Sequence, residues 1–318
     1  MLDLKTKIWD IVFEHPIFNA SWPLCTTLEE LEMLWNSDSS AIMMKTCTLE
    51  AREWNPEPRY KELALWSINS MWLPNLWYKK YIEFASILKQ KFEKPVIASL
   101  TWFKWANIED NDFVEMIKEF QDNSDVDLIE INLSCPNVVG KPQIAYDFET
   151  SDKIISLVEN LWEKIIWLKL PPYFDQSHTN TMSEIVKNHL KIKFLTCVNS
   201  VWNTLVIDPE KEEPLIKPKW WFWWLWWEYI KPIALANVRS FYQNLWDRVS
   251  IIWVWWILNW VDVYEFLLAW ACAVQLWTTF SKEWISSFTR IKKEFENYMN
   301  KKQKKSIFEV VWKLKELN

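Results

Sequence analysis

Short runs of β-branched and other apolar residues alternate with longer amphipathic stretches along the whole chain. We count eight such runs, at 16–21, 41–46, 95–100, 127–134, 165–170, 194–200, 250–257 and 273–278. Strands that alternate with helices predict a parallel sheet with helical crossovers. Because eight strands close a barrel, we predict an α/β fold, a (β/α)8 TIM barrel, as a single domain over residues 1–318.

The stretches between the runs predict amphipathic helices at 147–162, 181–190 and 231–245, and a charge-rich helical tail at 281–317 that covers the barrel with a solvated face. Two further segments, 48–78 and 201–227, are long for barrel loops, and long loops in compact domains are usually functional. We find no repeat and no low-complexity linker, which agrees with one domain.

Polar or turn-forming residues stand at the end of nearly every run. In a barrel the carboxyl ends of all strands face one mouth, where active sites lie. The sequence therefore predicts that these residues converge in space: Asn19, Ser21, Lys45, Ser99, Asn132, Lys169, Asn199 and Ser200.

Composition excludes several classes of function. The formal net charge of -6 argues against a nucleic-acid partner, which would require a basic surface. The five cysteines form no CxxC pair and no metal-ligand spacing, so we expect no disulfide framework, no metal site and a cytoplasmic protein. No run of 18 uncharged apolar residues occurs, and we expect no membrane anchor.

The chain has 27 tryptophans and 1 glycine. Their sum, 28 of 318 residues, is an ordinary glycine content, and the tryptophans stand where turns need glycine, as in the run 219–227. We hypothesise that the organism reads UGA as glycine and that Gly140 alone has a conventional glycine codon. A protein truly rich in tryptophan is the alternative, but aromatic clusters do not reproduce turn positions.

Six segments carry a resemblance to a known family: KTCTLEAREWNPEPRY at 45–60, WSINSMWLPN at 66–75, EINLSCPN at 130–137, LKLPPYFD at 168–175, VNSVWNTLVID at 198–208 and IIWVWWI at 251–257. With tryptophan read as glycine, they resemble dihydroorotate dehydrogenases, in order, over nearly the whole chain. The likeness is to the class 1A type, because Cys135 stands where the membrane-bound class has serine. It implies an FMN enzyme of pyrimidine biosynthesis that oxidises dihydroorotate to orotate and passes the electrons to fumarate.

The resemblance also implies roles for individual residues. Cys135 is the expected catalytic base, since a thiolate can take the substrate proton, and Lys45 is expected between flavin and substrate. Side-chain amides and backbone N–H groups match the ring and carboxylate of orotate. The expected substrate-binding residues are Lys45, Asn69, Met71, Trp72, Leu73, Asn132, Asn137, Asn199 and Ser200.

For FMN, Lys169 is expected at the pyrimidine edge of the flavin. The phosphate is expected in the loops after strands seven and eight, where backbone N–H groups approach closely only if glycine is present. The expected cofactor-binding residues are Ala20, Ser21, Lys45, Thr46, Asn132, Lys169, Leu170, Trp226, Trp227, Trp255, Trp256, Trp277 and Thr278.

Other interpretations stay open at this point. A class 1B enzyme would pass electrons to NAD through an iron–sulfur partner subunit. A dihydrouridine synthase would act on tRNA, which the acidic balance opposes. A non-catalytic barrel scaffold is a third. From the resemblance we also expect a homodimer. The turn-forming residues Pro136, Gly140 and Pro142 predict a mobile lid over Pro136 to Ala145. We interpret Cys25, Cys47, Cys197 and Cys272 as structural.

Overall fold

The computed structural model describes residues 2–63, 66–71, 73–91, 93–101, 112–134, 143–217, 223–227 and 230–315. In chain order the strands of these ranges are β1 (Thr6–Ile8), β2 (Ile11–Phe13), β3 (Ile17–Asn19), β4 (Ile42–Met43), β5 (Tyr60–Glu62), β6 (Trp66–Asn69), β7 (Val96–Leu100), β8 (Leu128–Asn132), β9 (Ile166–Leu170), β10 (Ile192–Cys197), β11 (Val201–Thr204), β12 (Ile207–Asp208), β13 (Glu213–Pro214), β14 (Trp223–Trp227), β15 (Ser250–Trp255) and β16 (Ala271–Leu276).

Eight parallel strands form a barrel in the order β3-β16-β15-β10-β9-β8-β7-β4. Strand β16, the last of these in the chain, pairs with β3, the first, with Val274 opposite Ile17. Each strand corresponds to one of the eight runs in the sequence, so the predicted fold class is confirmed. Two strands begin two residues before the predicted runs, β10 at Ile192 and β16 at Ala271.

The amide side chain of Asn19 joins β3 to β4, which are not paired in the eight-stranded sheet. The Met43 N–H donates to Oδ1 of Asn19 at 2.9 Å, and Nδ2 of Asn19 donates to the Met43 carbonyl at 2.7 Å. Asn19 is fully buried. At this seam the Asn19 amide therefore makes the hydrogen bonds to β4 that a paired strand backbone would otherwise make.

The interior of the barrel has two layers, because alternate residues of a strand point inward. The layer toward the amino ends is apolar, and the β1–β2 hairpin plugs it with Ile8 and Phe13. Trp167 stacks on Phe194 there, with ring centroids 5.5 Å apart. Two residues further along most strands the inward side chains become polar, and all are buried: Lys45, Ser99, Glu130, Lys169, Thr196 and Gln275.

Within the described ranges, helices α1 to α7 lie between strands and α8 and α9 follow the last strand. They are α1 (Leu28–Trp35), α2 (Tyr78–Lys91), α3 (Asp112–Asn123), α4 (Phe148–Leu161), α5 (Gln176–Asn188), α6 (Lys231–Leu245), α7 (Trp260–Leu268), α8 (Thr278–Glu283) and α9 (Ser286–Lys301). No helix within the ranges the structure describes is long and apolar enough to cross a lipid bilayer.

The predicted helix 231–245 has the bounds of α6. The helix predicted at 181 begins earlier, at Gln176, because the Asp175 side chain caps it by accepting from the Ser177 N–H. The prediction of a helical tail to 317 is wrong, since α9 ends at Lys301 and Ser306 then pairs with Asp3. Nor is α9 a purely solvated face, because it buries Phe288, Ile291, Phe295 and Met299.

The two segments predicted as long loops contain strands instead. Strands β11, β14, β6 and β5 form a second, antiparallel sheet in that order, and β12 pairs with β13 in a hairpin. Sequence reasoning missed them because each strand has five residues or fewer and β14 reads as a run of tryptophans. A small sheet therefore stands where only loops were expected.

Candidate active site at the barrel mouth

Two buried lysines lie in the polar layer below the mouth. Lys45 follows β4 and Lys169 is in β9, and both are at most 2% exposed. Burial lowers the pKa of Lys169, and the neighbouring Glu130 carboxylate partly opposes that shift. The mouth thus has two buried lysines, one of them near a buried carboxylate, an arrangement suited to a ligand that gains negative charge.

Glu130 accepts hydrogen bonds on both carboxylate oxygens. Oγ of Ser99 donates to Oε1 at 2.8 Å and Oγ1 of Thr196 donates to Oε2 at 3.1 Å. Ser99 Oγ also lies 2.9 Å from Oγ1 of Thr46, which lies 2.8 Å from Oγ of Ser21. A chain of buried hydroxyls therefore connects this carboxylate to the end of β3.

Two of the predicted substrate amides meet at the ends of β8 and β10. Nδ2 of Asn199 donates to Oγ of Ser134 at 2.7 Å and approaches Oδ1 of Asn132 at 3.4 Å. Ser134 in turn donates to Oδ1 of Asn132, from Oγ at 2.9 Å and from N at 3.2 Å. The structure thus brings Asn132 and Asn199 together as one rigid polar cluster.

The predicted Asn69 lies at the end of β6, in the small sheet. Its Oδ1 accepts from the Met71 N–H at 3.4 Å, while its Nδ2 is buried and has no hydrogen-bond partner among the described residues. Leu73 has a positive φ of 54°, which turns the chain after Met71. A buried donor without an acceptor is costly, and a substrate carbonyl would satisfy it.

The small sheet lies over the mouth. Trp226 of β14 contacts Trp22 after β3 and Trp277 after β16, with centroids 5.6 Å apart in each case. Other predicted cofactor contacts surround the mouth: the Ala20 N–H donates to the Leu276 carbonyl, and the Leu170 carbonyl accepts from the Asn199 N–H. Ser200, Trp256 and Thr278 are buried at the ends of β10, β15 and β16.

Several predicted site residues lie outside the described residues, namely Cys135, Asn137 and Trp72. Trp227 and Trp255 have described backbones only, within β14 and β15. Cys135 directly follows Ser134, whose side chain is held by Asn132 and Asn199. In the sequence, Cys135 therefore comes directly after a residue of the amide cluster.

Of the predicted lid, 136–145, the structure describes only the end from 143 to 145. The Ala145 N–H donates to the Leu133 carbonyl at 3.1 Å, and its carbonyl accepts from the Tyr173 hydroxyl at 2.8 Å. Oδ1 of Asn237 accepts from the Tyr173 N–H, and Nδ2 donates to the Tyr173 carbonyl, each at 2.9 Å. Ala145 is thus hydrogen-bonded on both sides, and the mobility of the lid stays a prediction.

The polar groups at the mouth fit a flavin, but the indoles do not. Trp22, Trp226 and Trp277 pack against one another at the mouth, where the resemblance leads us to expect the flavin. The Trp277 Nε1–H is buried and has no hydrogen-bond partner within the described ranges. Buried indoles normally find an acceptor, so tryptophan is poorly suited to this position.

Backbone angles at other tryptophan positions also indicate that tryptophan is poorly suited to them. Among the residues that the structure describes, eleven non-glycine residues have positive φ, and six of them are tryptophan: Trp9, Trp77, Trp246, Trp270, Trp284 and Trp312. At Trp246 φ is 51° and ψ is -132°, and at Trp284 they are 58° and -152°. Only glycine adopts that region without strain, and each residue directly follows a helix, where glycine commonly stands.

The other cysteines of the chain are placed for packing. Cys25, Cys47 and Cys197 are buried, and burial raises the pKa of each thiol. Burial raises the pKa of the half-buried Cys272 to about 12. Thiols with such raised pKa values are poor nucleophiles, which agrees with the structural roles expected for them.

The fold and the site define an α/β-barrel enzyme whose mouth combines buried cations, amides and hydroxyls. The family model described as dihydroorotate dehydrogenase matches residues 3–299. The chain belongs to the dihydroorotate dehydrogenase family. Members of this family are flavoproteins, so a flavin is the expected cofactor.

Similar proteins cover the chain from end to end. It is 43% identical over 314 residues to dihydroorotate dehydrogenase A (fumarate) of Lactococcus lactis subsp. lactis (strain IL1403), covering 99% of this chain and 100% of that protein. It is 40% identical over 317 residues to dihydroorotate dehydrogenase (fumarate) of Kluyveromyces lactis, covering 99% of each. These names agree with the class 1A resemblance.

A solved structure shares the fold. The crystal structure of DHODH in complex with ferulenol from Eimeria tenella superposes with a TM-score of 0.79, covering 97% of this chain and 88% of that one. The sequence identity is 18%, so this likeness supports the barrel alone.

Proposed function

We propose that this chain oxidises dihydroorotate to orotate, with FMN as cofactor and fumarate as electron acceptor. The observation that carries the proposal is the buried polar layer that contains Lys45 and Lys169, together with the Asn132–Asn199 cluster, in which Asn132 pairs in register with Lys169 of the next strand. The names of the full-length relatives support it. They also favour fumarate over the NAD-linked class 1B alternative. We further propose a cytoplasmic homodimer with one FMN per chain.

FMN, when bound, would supply the hydride acceptor, since protein side chains have none. In this proposal Lys169 approaches the pyrimidine edge of the flavin and Lys45 lies between flavin and substrate. Both ammonium groups favour a ligand that becomes more negative on reduction. Asn69, Asn132, Asn137 and Asn199 would hold the substrate ring through their amides.

We assign the proton transfer to Cys135. The preceding residue, Ser134, makes three hydrogen bonds within the amide cluster, which supports a role for the next residue in the sequence at the mouth. A general base must lie within hydrogen-bond reach of the proton that it takes. Holding substrate and base in one rigid cluster would meet that requirement.

The flavin fits only if glycine replaces the indoles at the mouth. We propose that the natural chain has glycine at most of the 27 tryptophan positions, including 22, 226 and 277. Removing these three side chains would open the volume between the small sheet and the strand ends. It would also let backbone N–H groups approach a phosphate closely, as the loops after β15 and β16 require.

Flavin reduction in a Cys135→Ala variant of the glycine-bearing protein tests the assignment of the base. We expect the variant to bind FMN and orotate normally. We expect dihydroorotate to reduce its flavin at least ~100-fold more slowly, as is typical when a general base is lost. Stopped-flow absorbance of the flavin measures this rate.

A Cys135→Ser variant is the matched control. It should retain part of the activity, with its pH optimum shifted upward because a hydroxyl is a weaker acid than a thiol. If Cys135→Ala reduces its flavin at the parental rate, the base is misassigned and Lys45 becomes the next candidate. If the parent protein binds no flavin, the whole proposal is wrong.

A further inference from the structure

Two asparagines of the site share one local turn, which decides how their amides are oriented. In each, Oδ1 accepts from the backbone N–H two residues further on: Asn132 from Ser134 at 3.2 Å, and Asn69 from Met71 at 3.4 Å. Asparagine commonly bonds its own backbone in this way. A backbone N–H can only donate, so the side-chain atom that faces it is the oxygen. The turn therefore leaves the Nδ2 end of each amide for a ligand.

The hydroxyl of Ser134 adds a second donor to the Asn132 oxygen. Nδ2 of Asn199 lies 2.7 Å from Oγ of Ser134, and an amide nitrogen can only donate, so the hydroxyl oxygen accepts this bond. Its own hydrogen then goes to Oδ1 of Asn132 at 2.9 Å. The Asn199 amide is itself oriented, because its Oδ1 accepts from the Ser200 N–H at 2.8 Å. All of these groups are neutral, so the bond directions depend on no protonation state.

Donors converge on Oδ1 of Asn132 from three directions. They are the N–H of Ser134, the hydroxyl of Ser134 and, at 3.4 Å, Nδ2 of Asn199. If the Asn132 amide turned over, its own N–H groups would face these donors. Ser134 is fully buried and Asn132 is 4% exposed, so water cannot easily replace the lost bonds. Nδ2 of Asn132 has no hydrogen-bond partner among the described residues.

Asn69 offers a second amide donor of the same polarity. It is fully buried, and its Nδ2 has no partner within the part of the chain that the structure describes. A buried N–H without an acceptor is costly, and an oxygen atom of a ligand would remove that cost. Both amides are thus oriented to donate to oxygen atoms rather than to accept from N–H groups.

We infer that Ser134 is a positioning residue that holds the Asn132 amide with its N–H groups toward the substrate, so that the site selects a ring oxygen at this point and rejects an amino group. The inference rests on the proposed function, since it takes the ligand to be dihydroorotate or orotate. A ring carbonyl accepts from Asn132, whereas a ring amino group would set N–H against N–H. Sites that leave a buried polar group unpaired discriminate strongly against the wrong ligand.

Two analogues of orotate test this selectivity, each with one ring carbonyl replaced by an amino group. Calorimetric titration of the glycine-bearing protein with orotate and with each analogue measures the affinities without turnover. We expect the parent to bind orotate at least 10-fold more tightly than the analogue whose amino group meets Asn132. Equal affinity for orotate and both analogues would overturn the inference.

Asn132→Asp identifies that analogue, because it replaces the donor by an acceptor of the same size. We expect this variant to raise the affinity of one analogue relative to orotate at least 10-fold. Orotate and both analogues have the same carboxylate, so repulsion by the new aspartate cancels in the ratio. A parental ratio for both analogues would show that Asn132 does not present its N–H groups to the ring.

Ser134→Ala tests the positioning role itself. Without the hydroxyl the Asn132 oxygen loses one donor, and we expect the preference for orotate over the same analogue to fall at least 3-fold. Ser183→Ala is the matched control, since it removes a buried hydroxyl that bonds the Thr179 carbonyl within α5, and it should keep the parental preference.

Ser134→Cys gives the same test if the alanine variant does not fold, because a thiol fills similar space and is a weaker donor. A parental preference in the Ser134 variant that folds would leave the backbone N–H as the sole orienting group and overturn the inference. A parent that binds no orotate would instead refute the proposed function.

Discussion

At the scale of one residue, Trp246 shows a backbone conformation that suits glycine and disfavours tryptophan. It is 64% exposed, and its φ and ψ lie in a region that a Cβ atom makes unfavourable. An exposed indole gains little from packing, so strain dominates at this position. Trp162 is the opposite case, because its backbone is extended, its side chain is 1% exposed and its Nε1 donates to the Ile165 carbonyl.

We therefore expect opposite effects of glycine at these two positions in protein made with the printed sequence. Trp246→Gly should raise the free energy of unfolding by about 1 kcal/mol, since relief of backbone strain exceeds the entropy cost of glycine. Trp162→Gly should lower it by about 3 kcal/mol or more through a buried cavity. Urea unfolding curves of the two variants check the signs.

The mass of the natively produced protein tests the same hypothesis directly. Glycine at most tryptophan positions would make the intact chain more than three kilodaltons lighter than the 38.6 kDa of the printed sequence. Intact-mass spectrometry resolves that difference easily. A native mass of 38.6 kDa would contradict the hypothesis, whatever the unfolding curves show.

At the scale of elements, two tyrosines join the segments that follow β8 and β9. The Tyr173 hydroxyl donates to the Ala145 carbonyl, and the Tyr146 hydroxyl donates to the Pro172 carbonyl. Burial raises the pKa of Tyr173 well above its usual value, so its hydroxyl stays protonated and able to donate. Asn237 of α6 fixes the Tyr173 backbone in turn. This brace holds the downstream end of the segment that contains Cys135.

Tyr173→Phe removes one bond of the brace and leaves the ring packing in place. A hydrogen bond contributes about 1 kcal/mol, so we expect amides of residues 143–146 to exchange roughly 5-fold faster. Hydrogen-exchange mass spectrometry measures this, with the amides of α9 as an internal control. Flavin reduction should slow while FMN affinity stays parental. Unchanged exchange at 143–146 would show that the hydroxyl does not hold the segment.

Sequence patterns predict the elements of the barrel well and its inner polar layer poorly. The eight strands and α6 follow from hydrophobic runs, and Lys45 and Lys169 from their places at strand ends. In the sequence Ser99 stands out only as a strand end, and Glu130 and Thr196 do not stand out. Side chains alternate between the two faces of a strand, and this alternation puts Glu130 and Thr196 on the inward face. The alternation of inward and outward residues is therefore the sequence signal that identifies them. The small sheet was missed because its strands are short and its glycine-like positions read as tryptophan.

At the scale of the whole molecule, a buried histidine connects the start of the barrel to its last long helix. His15 is 4% exposed and accepts from the Ile17 N–H at 3.3 Å. Burial lowers its pKa to about 4, Lys292 and Lys94 act in the same direction, and Asp38 opposes them. Asp38 also binds Thr289 and Lys292 of α9. Protonation of His15 would therefore disturb this whole junction.

The lowered pKa of His15 makes stability depend on pH in a defined window. Above pH 6.5 the imidazole is neutral in both states, and its contribution is fully present. As the pH falls from 6.5 toward 4, only the unfolded chain takes up the proton, so stability is lost. Between pH 7 and 4.5 the loss should be about 2 kcal/mol.

Urea unfolding of the parent and of His15→Asn at both pH values isolates this effect from the titration of carboxylates. The variant should lose about 2 kcal/mol less than the parent over the same interval. Equal losses in the two proteins would mean that His15 is not the group responsible.

The boundary between β3 and β4 is a joint at which strand pairing around the barrel is interrupted. Among the described residues this joint is held by Asn19 on Met43, by Ser40 on the Ile17 carbonyl, and at its upper end by Ser21 on Thr46. The contact of Ser21 with Thr46 belongs to the chain of buried hydroxyls that leads to Glu130. A ligand that contacts both Ser21 and Thr46 would thus stabilise the barrel where β3 and β4 are not paired. Loss of FMN would then loosen the barrel at this boundary first.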